Sequence, residues 1–185
     1  MGSTPIRTAM DLNQKSKYLS LLLRHHPEKG NVTVNRFGWA PIKEIVKALD
    51  CSYSDLQVIV QTDEKKRYSF NSDNTCIRAN QGHSISVEVE MEEFIPEEGA
   101  VLYHGTADRF LKWILLNGLT SQKRLFVHMT DNIEVAEKTG ARYGKPVVLR
   151  IDAYTLYTRG NEILKSSNGV YQTKNVPNDL ISVVI

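Results

Sequence analysis

The chain has 185 residues, of which 41% are hydrophobic and 24% charged, and its formal net charge is +2. That composition belongs to a globular protein and excludes collagen-like and largely disordered chains; it also lacks the bulk positive excess common in nucleic-acid binders. Two cysteines, Cys51 and Cys76, make neither a disulfide framework nor a metal pattern. No apolar run reaches about 18 residues, the length of a membrane span, and Met1–Met10 has no signal-like apolar core. A soluble, cytoplasmic protein is the expectation.

In chain order, Leu12, Leu19, Leu22 and Leu23 fall on one helical face, and Pro27 and Gly30 end that helix. Val32–Val34 and Trp39–Ala40 read as short strands about Gly38. Pro41 suits a first helical position ahead of Ile42, Ile45, Val46 and Leu49. Ser54 is a candidate cap for a third helix carrying Leu56, Ile59 and Val60. Tyr68 and Phe70 alternate with polar residues, Ser72–Asn74 turns, and Cys76–Arg78 returns. Helices followed by a two-stranded wing suggest a winged-helix lobe, a module that often, but not always, meets nucleic acid.

The charge is unevenly spread. Residues 1–86 hold 12 basic and 8 acidic residues, residues 87–100 hold 6 acidic and no basic ones, and residues 101–185 hold 11 basic and 7 acidic ones. Acidic residues beside Pro96 and Gly99 read as a solvated connection, so lobes of 1–95 and 96–185 are expected, with an acidic edge strand as the alternative.

The second half reads as α+β. Val101–Tyr103 forms a strand ending at His104-Gly105-Thr106. Phe110, Leu111, Ile114 and Leu115 suit a helix closed by Asn117-Gly118. Phe126–His128 reads as a strand, Asp131 or Asn132 as a cap for a helix through Lys138, and 147–151 as a buried strand. Further strands are expected at Gly169–Thr173 and Leu180–Val184.

The chemistry-bearing residues are few. Five histidines, His25, His26, His83, His104 and His128, have no metal-ligand spacing, so no metal is expected. Arg24-His25 closes the first helix, where positive charge favours the helix dipole. Arg67 opens the wing, where guanidinium can grip phosphate; the plain alternative is a solvated edge charge. No glycine-rich phosphate loop and no nucleophile elbow occur. Trp39 and Trp113 suit core or lobe packing, and His26 the surface.

Taken together, the motifs resemble those of the RNA 2′-phosphotransferase (KptA) family. Leu19-Ser20-Leu21-Leu22-Leu23-Arg24-His25 is similar to its L-S-x-x-L-R-H opening. Gly38-Trp39, Lys66-Arg67-Tyr68-Ser69-Phe70 and Ile77-Arg78-Ala79-Asn80-Gln81-Gly82-His83-Ser84 follow its order. So do Leu102-Tyr103-His104-Gly105-Thr106, Arg124–Thr130, Gly140–Leu149 and Asn168-Gly169-Val170. The matches run from about Lys17 to Ile181.

The resemblance implies an N-terminal winged-helix lobe joined to a C-terminal ADP-ribosyltransferase-like lobe, with the active site in the cleft between them. It implies an NAD-dependent enzyme that removes an internal RNA 2′-phosphate in two steps. The 2′-phosphate first displaces nicotinamide from NAD; the ribose 2″-hydroxyl then attacks phosphorus, leaving 2′-hydroxyl RNA and ADP-ribose 1″,2″-cyclic phosphate. By resemblance Arg24, His25, Arg67 and Arg124 are the catalytic set, with His25 handling a proton or touching phosphate. His104, Gly105, Thr106, His128 and Thr130 hold NAD, with Arg142 either contacting NAD or forming a surface ion pair. Lys66, Arg78 and His83 are RNA-side candidates, His83 alternatively fixing the wing to the other lobe. Val170 stands where many members of the wider fold carry Glu, which fits a nucleophile already charged. The partners implied are NAD and a tRNA-like RNA bearing a 2′-phosphate, with no membrane and a monomeric enzyme. Two other readings are an ADP-ribosyltransferase of nucleic-acid terminal phosphates and a non-catalytic winged-helix binder.

Overall fold

A computed structural model describes residues 10–184, which fall into two compact units dividing between Val89 and Glu90. All strand pairs among the described residues are antiparallel and helices and strands are mixed, an α+β arrangement.

The first unit begins with α1, Leu12–Arg24. Asp11 caps it through the Gln14 N–H at 2.8 Å, and Gln14 answers onto the Asp11 N–H at 3.0 Å. Leu19, Leu22 and Leu23 are buried, but Leu12, in the first turn, is exposed and adds nothing to that core. Val32–Val34 is not a strand. Its backbone is claimed elsewhere: the Val32 N–H donates to the Pro27 carbonyl at 3.0 Å and the Thr33 N–H to the Glu44 carboxylate at 2.7 Å. Strand β1, Trp39–Pro41, leads directly into α2, Ile42–Leu49, so Pro41 precedes the helix rather than opening it. Helix α3, Tyr53–Gln61, is capped by Ser52, not Ser54, because Ser52 exchanges hydrogen bonds with Asp55. Strands β2, Tyr68–Phe70, and β3, Cys76–Ala79, complete a three-stranded sheet in the order β1-β3-β2. Leu19, Leu22, Leu23, Ile45, Leu49, Leu56 and Ile77 fill the core beneath it.

The second unit opens with β4, Glu92–Glu93, an edge strand. The acidic segment is therefore partly structured, and the division between Val89 and Glu90 falls within it. Strand β5 runs Val101–Ala107, through His104-Gly105-Thr106 and beyond the expected stop at Tyr103. Then come α4, Asp108–Asn117; β6, Leu119–Thr120; β7, Val127–Met129; and α5, Ile133–Gly140. Asn132, not Asp131, caps α5. Strand β8, Pro146–Asp152, is followed by α6, Ala153–Thr158, and β9, Leu164–Lys165. The chain ends through β10, Tyr171–Thr173; β11, Asn175–Val176; and β12, Ile181–Val183. The sheet β12-β8-β5 and the sheet β4-β9-β10-β7 are joined where Tyr103 and Thr130 exchange backbone hydrogen bonds at 2.7 and 2.9 Å. Leu102, Leu149, Ile151, Leu156 and Ile163 are fully buried between these layers. Trp113 is half-exposed on α4 and so lies outside the core, the first of the two placements expected of it. No helix among the described residues is long and apolar enough to cross a membrane.

Candidate active site

In the first unit the polar motifs converge on the C-terminus of α1. Arg24 is the last helical residue and is buried, while His25 forms the cap. The segment after β3 folds back across this end. The Ser84 N–H donates to the Arg24 carbonyl at 2.9 Å, and the Ser84 hydroxyl lies 2.9 Å from His25 Nδ1. Gly82 lets the chain pass so close. Its φ is +89°, and a Cβ there would sit 3.4 Å from the Arg24 guanidinium carbon.

His83 is 4% exposed, and its Nε2 has no hydrogen-bond partner among the described residues. Burial first, then the charges of Arg24, His25 and Arg78, push its pKa from 6.5 to about 4. It is thus neutral at ordinary pH. Arg78, on β3, stacks its guanidinium 4.5 Å from the Trp39 ring centroid across the sheet.

Arg67 enters from the turn between α3 and β2. One of its guanidinium nitrogens is ion-paired with Asp63, and its N–H donates to the same carboxylate at 2.5 Å. The buried Tyr68 hydroxyl feels both Arg24 and Arg67, while its own burial raises its pKa. Arg24, His25, Arg67, Arg78 and His83 are therefore brought into one neighbourhood. Lys66 is exposed beside it.

In the second unit, His104 on β5 donates from Nδ1 to the His128 carbonyl at 2.8 Å. A carbonyl only accepts, so the His104 proton is on Nδ1 and Nε2 carries the lone pair. Burial lowers the His104 pKa and keeps the ring neutral. Arg124 Nη1 lies 2.7 Å from His128 Nδ1. A guanidinium only donates, so His128 is held as the Nε2–H tautomer. Across β7 and β10, His128 stands opposite the buried Gln172.

Gly105 has a packing task, since a Cβ there would lie 1.7 Å from the Ala136 carbonyl oxygen of α5. Thr106 is buried in β5. The Thr130 hydroxyl accepts the Asn132 N–H at 3.2 Å, and Arg142 is exposed just after α5. Val170 sits before β10, its N–H donating to the Ser166 hydroxyl at 3.1 Å. Among the described residues no group of three His, Cys, Asp or Glu side chains could hold a metal.

Residues 11–175 match the model of the family described as RNA 2′-phosphotransferase, Tpt1 / KptA family. The chain belongs to the RNA 2′-phosphotransferase family. It is 39% identical over 178 residues to a probable RNA 2′-phosphotransferase of Hahella chejuensis, covering 94% of this chain and 95% of the relative. It is 40% identical over 172 residues to one of Escherichia coli O6:K15:H31, covering 90% and 92%. One of Flavobacterium johnsoniae is 40% identical over 169 residues, covering 88% and 91%. Membership in this family supports a transferase enzyme acting on RNA.

Three neighbours of these positions carry no assigned role in the motifs: Asp63 on Arg67, Ser84 on His25, where it ends the His83 motif, and Gln172 opposite His128. Asp63 stands four residues before Arg67, a spacing that favours contact on a helix. Here the contact is made through a turn, which the helical rule does not anticipate.

Proposed function

We propose that the protein is an NAD-dependent RNA 2′-phosphotransferase, in which a winged-helix lobe carries the RNA contacts and an ADP-ribosyltransferase-like lobe carries the NAD contacts. One observation carries this reading. The first unit gathers Arg24 and His25 beside a neutral His83, with Arg67 and Arg24 both acting on Tyr68, and pins His25 by Ser84 and Arg67 by Asp63. A mere RNA-binding surface has no need of a buried arginine and a fixed imidazole.

The residues of the second unit suit NAD chemically. His104 and His128 are neutral rings of defined tautomer, one offering a lone pair and one an N–H. A neutral N–H donor suits ribose hydroxyls and a carboxamide, and Arg124 suits the phosphate side. No carboxylate is among the assigned positions, as a phosphate nucleophile demands.

NAD, when bound, supplies the electrophilic ribose carbon and nicotinamide as leaving group. A 2′-phosphate oxygen forms the bond to that carbon as the bond to nicotinamide breaks. The ribose 2″-oxygen then bonds to phosphorus, and the RNA 2′-oxygen leaves and takes a proton. Arg24, Arg67 and Arg124 neutralise the phosphate oxygens without exchanging protons. His25 moves the proton of the second step. Lys66 and Arg78 hold the flanking backbone, and His83 supports Arg24 from behind. His104, Thr106, Gly105, His128, Thr130 and Arg142 orient NAD. A tRNA carrying a splicing-derived 2′-phosphate has the chemistry required.

The test is a 2′-phosphorylated oligonucleotide incubated with and without NAD. Loss of phosphate with release of the cyclic ADP-ribose phosphate, only when NAD is present, is the expected result. Dephosphorylation without NAD, or none with it, overturns the reading. A stable ADP-ribosylated RNA as the end product would instead favour terminal-phosphate ADP-ribosylation.

A further inference from the structure

The geometry points to Asp63 as a positioning residue for Arg67. This rests on the assignment of Arg67 to the RNA phosphate. The Asp63 side chain is only 5% exposed, against 30% for Arg67. A buried carboxylate is costly unless paired and hydrogen-bonded. Both of its oxygens serve the same residue: one pairs with the Arg67 guanidinium and the other accepts the Arg67 N–H.

The backbone around Arg67 is fixed independently. The Lys66 N–H donates to the Asp63 carbonyl at 2.8 Å, closing the turn, and Lys66 takes a left-handed φ of +45°. The Asn80 N–H donates to the Arg67 carbonyl at 2.8 Å, and the Asn80 side-chain amide donates to the Lys66 carbonyl at 2.8 Å. The Ser69 hydroxyl holds the Asn80 amide oxygen at 2.8 Å. With the main chain settled, what remains free is the long arginine side chain, which carries several rotatable bonds. Asp63 removes that freedom by committing one guanidinium nitrogen. The other guanidinium N–H groups have no hydrogen-bond partner among the described residues and keep their capacity for phosphate oxygens. Asp63 and Arg67 also line a pocket of about 250 Å³ with Asn13, Ser16, Glu64 and Lys65, and Arg67 is the more exposed of the pair.

A positioning carboxylate beside an anion site makes a two-sided prediction. Asp63→Asn keeps an acceptor for the Arg67 N–H but removes the ion pair. It also removes a negative charge near the RNA phosphate. The KM for 2′-phosphorylated RNA is expected to stay level or fall, while kcat falls about tenfold or more. A residue that only holds the fold would shift Tm, or raise KM, without that split. Turnover is measured for Asp63→Asn, Asp63→Ala, Arg67→Ala and the Asp63→Asn/Arg67→Ala double variant, with Tm for each. In the Arg67→Ala background the Asp63 change is expected to add nothing to the loss of kcat. If Arg67→Ala turns over normally, the assignment of Arg67 fails and this inference with it. If Arg67→Ala is slow but Asp63→Asn is normal, or the two losses multiply, the inference alone is overturned. Asp63→Asn retaining the parental Tm with the stated split supports it, whether or not Asp63→Ala folds.

Discussion

Acid should weaken this protein through His83 before it weakens it through its carboxylates. His83 is buried against Arg24, His25 and Arg78, and its pKa in the fold is about 4 against 6.5 for a free imidazole. Between those values the unfolded chain binds a proton that the folded chain refuses. Stability is therefore full above pH 6.5 and falls as pH drops toward 4. The linkage relation gives a loss of about 2 kcal/mol at pH 5 and about 3 kcal/mol at pH 4, relative to pH 7.5. A typical domain holds only about 5–15 kcal/mol, so the effect is measurable by urea denaturation. His83→Gln removes the titrating group, so its stability should change much less between pH 7.5 and pH 5. The exposed carboxylates of Glu28, Asp55 and Asp73, held low mainly by hydrogen bonds, lose their contribution only under more acidic conditions and do so in both proteins. Equal losses in wild type and variant, or an NMR titration of the His83 ring near 6.5, would refute the reasoning.

Other expectations are equally direct. Gly105→Ala forces a Cβ into the Ala136 carbonyl, so α5 must lift off β5; a loss of roughly 2–4 kcal/mol is expected by chemical denaturation, and a wild-type midpoint would show that the two elements can separate freely. Arg124→Ala removes the donor that holds His128 as the Nε2–H tautomer; nitrogen-15 shifts of the ring should reveal the other tautomer, and turnover should fall about 100-fold with ADP-ribosylated RNA accumulating. An unchanged ring spectrum would mean that another contact sets the tautomer. If the proposed contacts of Arg24, Lys66, Arg67 and Arg78 are the phosphate contacts, about four in all, RNA binding depends weakly on salt; the log–log slope expected on a single strand is about −3, and a slope near −8 would reveal contacts elsewhere.

The near-neutral charge of the chain conceals how its cations are used. A surface built for general attraction spreads lysines and arginines over an open face. Here Arg24 is buried, Arg67 is tied to a carboxylate, Arg78 lies on Trp39 and Arg124 meets a histidine. Each has exchanged freedom for a fixed direction. That arrangement adds little to long-range attraction and much to orientation of each guanidinium.

The same contrast explains what could be read beforehand. Helices α1 and α2 were legible because Leu19, Leu22 and Leu23, and Ile42, Ile45 and Leu49, repeat at the helical period and are buried together. Val32–Val34 looked like a strand because β-branched residues favour one, but Pro27 and Glu44 took its N–H groups. Trp113 looked like core because tryptophan is usually covered, yet on α4 only Ile114 is fully inside. At the site, the arginines and histidines stood out by their type and motif. The groups that aim them did not. Ser84 reaches His25 across 59 residues, and Gln172 meets the His128 position only through strand register. Such pairings depend on topology, which no local pattern encodes. Asp63 is the intermediate case. It lies four residues from its partner, near enough to be noticed, but its meaning depends on the left-handed turn at Lys66 that brings the Arg67 N–H and guanidinium onto one carboxylate.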